Sequence, residues 1–203
     1  MIITRTPLRI SFAGGGSDLP AFYEQERGAV VSTAIDKYIY ITVNPKFDHK
    51  IRASYSVTEI VDTVDEVQHE LIREALHLLG IQQGIEITSI SDIPSQGTGL
   101  GSSSSYSVGL LNALYAYLGR MVGAERLARE ACYIEIDRCG KSIGKQDQYI
   151  AAFGGITSFL FEPDGKVIVS PVQISHDSVG KLQENIMLFY TGIPATLSRF
   201  KKL

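Results

Sequence analysis

Between Leu8 and Phe12 the chain alternates. Leu8, Ile10 and Phe12 share one face of an extended segment and Arg9 and Ser11 the other, before the run ends in Gly14, Gly15 and Gly16. Alternation with a glycine stop predicts a strand followed by a turn. AVVSTAIDKYIYITVNP, from Ala29 to Pro45, is dense in Val, Ile, Thr and Tyr and predicts one or two further strands ending at the proline. KIRASYS predicts another short strand. The period then lengthens. From Glu66 to Gly80, Val67, Leu71, Ile72, Ala75, Leu76 and Leu79 recur at helical spacing, with Gly80 as terminator. GIEITSIS alternates again. Two helices follow. One, over 103–118, carries Val108, Leu111, Leu114, Tyr115 and Leu118 on a broad face; the other, about 124–139, carries Leu127, Ala131, Ile134 and Arg138. GKQDQYIAAFGG predicts a short helix between glycine stops. ITSFLFEPDGKVIVSPVQI predicts a hairpin turning at Pro163-Asp164-Gly165, and NIMLFYTG a last strand. Strands, then a helical layer, then a returning hairpin make one α+β domain, a mixed sheet packed against helices.

Composition narrows the function. The 203 residues are 44% hydrophobic and 20% charged, the profile of a globular protein with a core of useful size. A formal net charge of −3 argues against a nucleic-acid surface as the main business. No apolar run reaches the ~18 residues of a membrane span, and MIITRTPLRI lacks the layout of a secretory signal. Cys132 and Cys139 lie in one helical pattern at a spacing that suits neither a disulfide framework nor a zinc site. The histidines at 49, 69, 77 and 176 are scattered. The expectation is a cytoplasmic protein without a dedicated metal cage.

The candidate chemistry starts at SQGTGLGSSSS, which runs from Ser95 straight into the best helix of the chain. A helix start offers unpaired N–H groups and a partial positive charge, so it favours an anion. Gly97, Gly99 and Gly101, with Leu100 between the last two, would let the backbone approach a phosphate; Ser102, Ser103 and Ser104 would add donors. A plain serine N-cap explains one serine, not four in a row with three alternating glycines. The pattern is neither a Walker loop, since no lysine follows Gly101, nor a dinucleotide fingerprint, which needs an acid at a strand end. Two weaker motifs flank it. In PLRISFAGGGSD, Arg9 projects from a strand and Asp18 follows three glycines, with Gly15, Gly16 and Ser17 beside it, suited to a polyol; a glycine-rich turn with exposed charges is about as good a reading. In YIEIDRCGKSIGKQDQY, Glu135 and Asp147 are separated by Gly140 and Gly144, so that a turn could bring both carboxylates to one cleft. Taken alone, each is more simply a solvated surface acid.

Together and in order, the three motifs resemble the GHMP small-molecule kinases. The family's P-x-R-[IV]-x-[FL]-x-G is met by Pro7, Arg9, Ile10, Phe12 and Gly14. Its phosphate loop, P-x-x-x-G-L-G-S-S-[AS], is met by Pro94 and TGLGSSSS with one extra residue. Its E-x₁₁-D pair is met by Glu135 and Asp147. Within the family, RISFAGGGSDLPAFY, GAVVSTAIDKYIYITVNP and IRASYSVTEIVD look like the D-glycero-D-manno-heptose 7-phosphate kinases, with fucokinase-like and galactokinase-like enzymes as near alternatives.

The resemblance implies a fold of the ribosomal-protein-S5-domain-2-like type, with residues 1–185 as the ATP-binding N-terminal domain and 186–203 as the start of a shortened second domain. It implies ATP on the loop with Mg²⁺ held by Ser102 or Ser103 together with Glu135. Asp147 would accept the proton of the sugar's C1 hydroxyl, and Arg9 would keep Asp147 ionised and face the transferred phosphoryl group. Asp18, with Gly15, Gly16 and Ser17, would bind the sugar. Arg52, with Lys37 behind it, is the candidate for the substrate's own phosphate. A small phosphosugar is the expected partner, with no nucleic acid and no membrane. The family's usual length exceeds this chain, so exposed apolar area and self-association as a homodimer are expected, alongside a rival reading as a non-catalytic ligand-binding remnant.

Overall fold

In the computed structural model, residues 1–94 and 98–189 are described. The first strand, β1 (Ile2–Ala13), is longer than its alternation suggested and leads through a tight turn into α1 (Pro20–Tyr23). Next comes β2 (Gly28–Pro45), a single 18-residue strand rather than two. β3 (Ile51–Ser54) and β4 (Thr58–Val61) form a short hairpin; a 3₁₀ turn (Val64–Glu66) leads to α2 (Glu70–Leu79), which stops at Gly80 in the left-handed region. Then follow β5 (Ile85–Ser91), α3 (Ser102–Tyr117), α4 (Ala124–Cys132), a π-helical turn (Tyr133–Arg138), α5 (Gln146–Phe153), the hairpin β6 (Ile156–Phe161) and β7 (Val167–Pro171), and α6 (His176–Asn185).

One mixed sheet organises these pieces. Its order is β4-β3-β5-β2-β6-β7, with β1 pairing antiparallel to β2 and β3 running parallel to β5. β2 is the shared member: its second half pairs with β5 (Ile39 opposite Ser91) and its first half with β6 (Gly28 opposite Phe161). The β1–β2 register slips between Pro7 and Arg9 and again between Ser11 and Ala13. Those irregularities break the even alternation, so Leu8 is fully buried while Phe12 is exposed.

The core is laid between the sheet and the helices, with Ile41, Val43, Ile85 and Ile87 meeting Ile72, Leu76, Leu110, Leu111 and Leu114. A second cluster under α4 and α5 holds Tyr23, Val30, Tyr149, Phe159 and Phe161. α3 comes close to β1 because Gly109 has no side chain: a methyl there would meet Thr6 Oγ1 at 2.5 Å, and Thr4 Oγ1 donates to the Gly109 carbonyl at 2.9 Å. This approach fixes the start of α3 beside the end of β1, where Arg9 emerges.

Four elements differ from the expectations. The helix expected over 124–139 changes to π geometry after Cys132, closing with Cys139 N–H donating to Ile134 O at 2.9 Å. The last strand expected at NIMLFYTG is not a strand over 186–189, where Met187, Leu188 and Phe189 are exposed; its remaining residues, and those of 186–203 beyond 189, lie outside the described residues. β4 and α6 were not anticipated: β4 has only four half-exposed residues, and α6 buries none, so neither carries a periodic signal. Both cysteines are free, and no described helix is long and apolar enough to cross a membrane.

Candidate active site

α3 begins where the glycine-serine loop ends. Its N-cap is Gly101 at φ 74°, a left-handed conformation costly to any residue with a Cβ, and Gly101 makes no side-chain cap bond. The serine-cap alternative therefore does not apply. Ser105 N–H is bonded to Gly101 O at 3.0 Å, and the amides of Ser103 and Ser104 lie ahead of it in the first turn, at the positive end of a 16-residue helix. The serines divide their work. Ser105 Oγ donates to Pro7 O at 2.8 Å and ties the helix to β1; Ser104 is buried; Ser103 turns to Glu135. Gly97, expected in the same cradle, lies outside the described residues.

Arg9 joins the loop to the acid. Its Nε and Nη2 donate to Asp147 Oδ1 and Oδ2 at 2.7 and 2.9 Å, a two-pronged pair. Its Nη1 donates to Gly99 O at 2.6 Å, and its backbone N–H to Leu100 O at 3.1 Å. A methyl on Gly101 would lie 3.3 Å from Asp147 Oδ2, so this carboxylate sits at the mouth of the loop. Burial pushes the Asp147 carboxyl up from its ordinary range. Arg9 pulls it down but does not prevail, and Asp18 and Glu135 add to the rise.

Asp18 is almost wholly buried at the start of α5. Its Oδ2 accepts from Gln146 N–H and its Oδ1 from Gly16 N–H, both at 3.0 Å. Gly15 lies beside Gln146. Ser17 is spent on structure, since its Oγ donates to Gly14 O and Ala29 O and accepts from Ala29 N–H. Arg52 is not part of this group: on β3, its Nη1 pairs with Glu86 at 2.9 Å across the parallel register. Lys37 is exposed, in the irregular stretch of β2 between Ala34, opposite Arg9, and Tyr38, opposite Pro7.

Glu135 is fully buried, carried there by the π turn, which places Ile134 and Glu135 inside together. Its Oε1 accepts from Ser103 Oγ at 2.6 Å and from Lys141 Nζ at 3.1 Å, and its Oε2 from Gln148 Nε2 at 2.7 Å. Lys141 and Gln148 escaped the sequence reading; only their nearness to Glu135 and Asp147 in the motif could have raised them. Among the described residues no three His, Cys, Asp or Glu gather into a metal cage. One buried carboxylate beside one hydroxyl still fits Mg²⁺, a hard cation that commonly takes one or two carboxylates and leaves its other positions to phosphate and water.

A cavity of about 650 Å³ opens beside the same helix start, lined among others by Tyr55, His69, Ser91, Ser103, Tyr106 and Lys141. His69 lies between two rings, stacked on Tyr106 at 5.0 Å and edge-on to Tyr55 at 4.6 Å. Burial lowers its pKa from the ordinary value. These aromatics were not singled out from sequence, because Tyr55 follows β3, His69 caps α2 and Tyr106 sits in α3, and only the fold brings them together.

Residues 62–155 match the family described as GHMP kinases N terminal domain. The chain is 30% identical over 207 residues to the D-glycero-alpha-D-manno-heptose 7-phosphate kinase of Campylobacter jejuni, covering 95% of this chain and 60% of that protein. It is 26% identical over 230 residues to the L-fucokinase/L-fucose-1-P guanylyltransferase of Bacteroides fragilis, covering 95% of this chain and 24% of that protein. Among solved structures, a D-glycero-D-manno-heptose 1-phosphate kinase from Bacteroides thetaiotaomicron superposes with a TM-score of 0.83 at 28% identity, covering 90% of this chain and 63% of that one. The chain thus spans about 60% of the length of the heptose 7-phosphate kinase it matches.

Proposed function

We propose that this chain, which carries the N-terminal domain of the GHMP kinases, belongs to an ATP-dependent sugar kinase that phosphorylates the anomeric hydroxyl of a heptose 7-phosphate. The observation that carries the reading is the clamp of Arg9. One guanidinium holds the carbonyl of Gly99 and both oxygens of Asp147, so a candidate base is fixed at the mouth of a candidate phosphate cradle.

In this reading the triphosphate lies over the start of α3 and the nucleotide base enters the cavity beside His69 and Tyr106. Ser103 and Glu135 would hold Mg²⁺, which would supply charge neutralisation to the phosphates. Asp147 receives the proton of the attacking hydroxyl late, as the new P–O bond forms, since a carboxylate is too weak a base to strip an alcohol beforehand. Most of the acceleration comes from positioning and charge stabilisation. Arg9 orients Asp147 and faces the transferred group. Asp18, held by the backbone of Gln146 beside Asp147, places the sugar.

The test is coupled ADP release with Mg·ATP and a panel of heptose 7-phosphate, L-fucose, galactose and mevalonate, on this chain and on a full-length relative. Turnover with heptose 7-phosphate that is lost in Asp147→Asn supports the proposal. Turnover with L-fucose alone would favour the fucokinase reading, which the similarity to the Bacteroides fragilis enzyme keeps in play. Nucleotide binding without turnover on any sugar would leave the binding remnant.

A further inference from the structure

Glu135 has no exposed surface, and a carboxylate removed from water needs a cation or several donors to remain charged. Here the cation is Lys141. Its Nζ donates to Glu135 Oε1 at 3.1 Å and to Ser103 Oγ at 2.7 Å, the same two atoms assigned above to the metal. The placement is built in. Lys141 N–H donates to Glu135 O at 3.0 Å just after the π turn, so the backbone delivers the side chain to its own acid. The ammonium also has somewhere to go, because Lys141 lines the 650 Å³ cavity where the nucleotide is proposed to lie.

A divalent ion and an ammonium cannot share these two oxygens, since like charges within ~4 Å repel strongly in a partly buried setting. We propose that Lys141 is an internal counter-ion that guards the metal position: it excludes free divalent ions and yields only when the metal arrives with the negative charge of a nucleotide, which then draws the ammonium into the cavity. The inference rests on the reading of Ser103 and Glu135 as metal ligands.

The experiment measures free Mn²⁺ binding without nucleotide, by electron paramagnetic resonance and by the metal-induced rise in melting temperature. The proteins are wild type, Lys141→Met, Lys141→Arg and the double variant Lys141→Met/Glu135→Gln. Lys141→Met is expected to bind free Mn²⁺ about tenfold or more tightly than wild type and to gain more melting temperature from it, whereas Lys141→Arg, still charged, stays as weak as wild type. The double variant is expected to lose the gained affinity. Unchanged or weaker Mn²⁺ binding in Lys141→Met overturns the guarding role while leaving the metal site standing. If the double variant binds as tightly as Lys141→Met, Glu135 is no metal ligand and both readings fall. Should Lys141→Met not fold, Lys141→Gln carries the same expectations.

Discussion

Replacing Gly144 with alanine tests the proposed sugar side of the site. Gly144 stands over the carboxylate of Asp18: a methyl group there would overlap Oδ2 and lie 2.8 Å from Oδ1. Its backbone is not left-handed, so alanine adds crowding without conformational strain. The carboxylate must retreat by roughly 1 Å or more to reach ordinary contact. That movement breaks the bond from Gln146 N–H to Oδ2, now 3.0 Å. A hydrogen bond to a buried charged acceptor contributes about 1.5–3 kcal/mol, so with the crowding the expected loss is about 2–4 kcal/mol. For a chain of this size that corresponds to a melting temperature lower by about 5–15 °C. In the coupled assay, KM for the sugar rises at least about tenfold, while nucleotide affinity, which does not depend on Asp18, holds. Adding Asp18→Ala to Gly144→Ala removes the crowded group, so the double variant melts higher than additivity predicts. A Gly144→Ala protein with wild-type melting and sugar KM would refute both the crowding and the role of Asp18.

Three further expectations follow from the geometry. Because burial raises the Asp147 carboxyl, the acid limb of the kcat/KM profile sits above the usual ~3.9 of an aspartate, activity being lost as pH falls through it; Arg9→Met removes the opposing cation and moves the limb higher, and a limb moving down would contradict this. Gln148→Leu leaves Glu135 Oε2 without its donor and is expected to cost about 1–3 kcal/mol in chemical denaturation, with Mg²⁺ recovering part of it only when nucleotide is added as well. Gly101→Ala forces a Cβ into a left-handed cap 3.3 Å from Arg9 Cγ and Asp147, so nucleotide affinity measured by calorimetry should weaken about tenfold, with the sheet's circular dichroism unchanged.

What the residues disclosed in advance follows the range of the interactions. Elements that bury a regular face announce themselves, as β2, α2 and α3 do with Ile41, Leu76 and Leu111. Arg9, Glu135 and Asp147 stand out because their spacing meets a family pattern, Asp18 because it follows three glycines, and the fold sets Arg9, Asp147 and Asp18 around the start of α5, with Glu135 beside Ser103. What stayed hidden depends on tertiary proximity. A lysine in a charged stretch reads as solvated, and nothing in the sequence says that Lys141 turns back onto Glu135. The π turn is silent for a related reason: Leu127, Ala131 and Ile134 keep α-helical spacing, and the widening shows only in the burial of Glu135 next to Ile134. Any strand cation can be imagined facing a ligand; the parallel register sets Arg52 beside Glu86, a pairing no sequence pattern discloses.

The division of β2 between two neighbours has a consequence for how the protein is made. Residues 39–45 of β2 find β5 within the next few dozen residues of chain, but residues 28–33 wait for β6, whose first residue is Ile156. While the chain emerges from the ribosome, that first half keeps one row of amides and carbonyls uncovered until more than a hundred further residues have appeared. Nascent chains are therefore most exposed to mispairing in this interval, and a chaperone or slowed translation between β5 and β6 is where expression yield responds most.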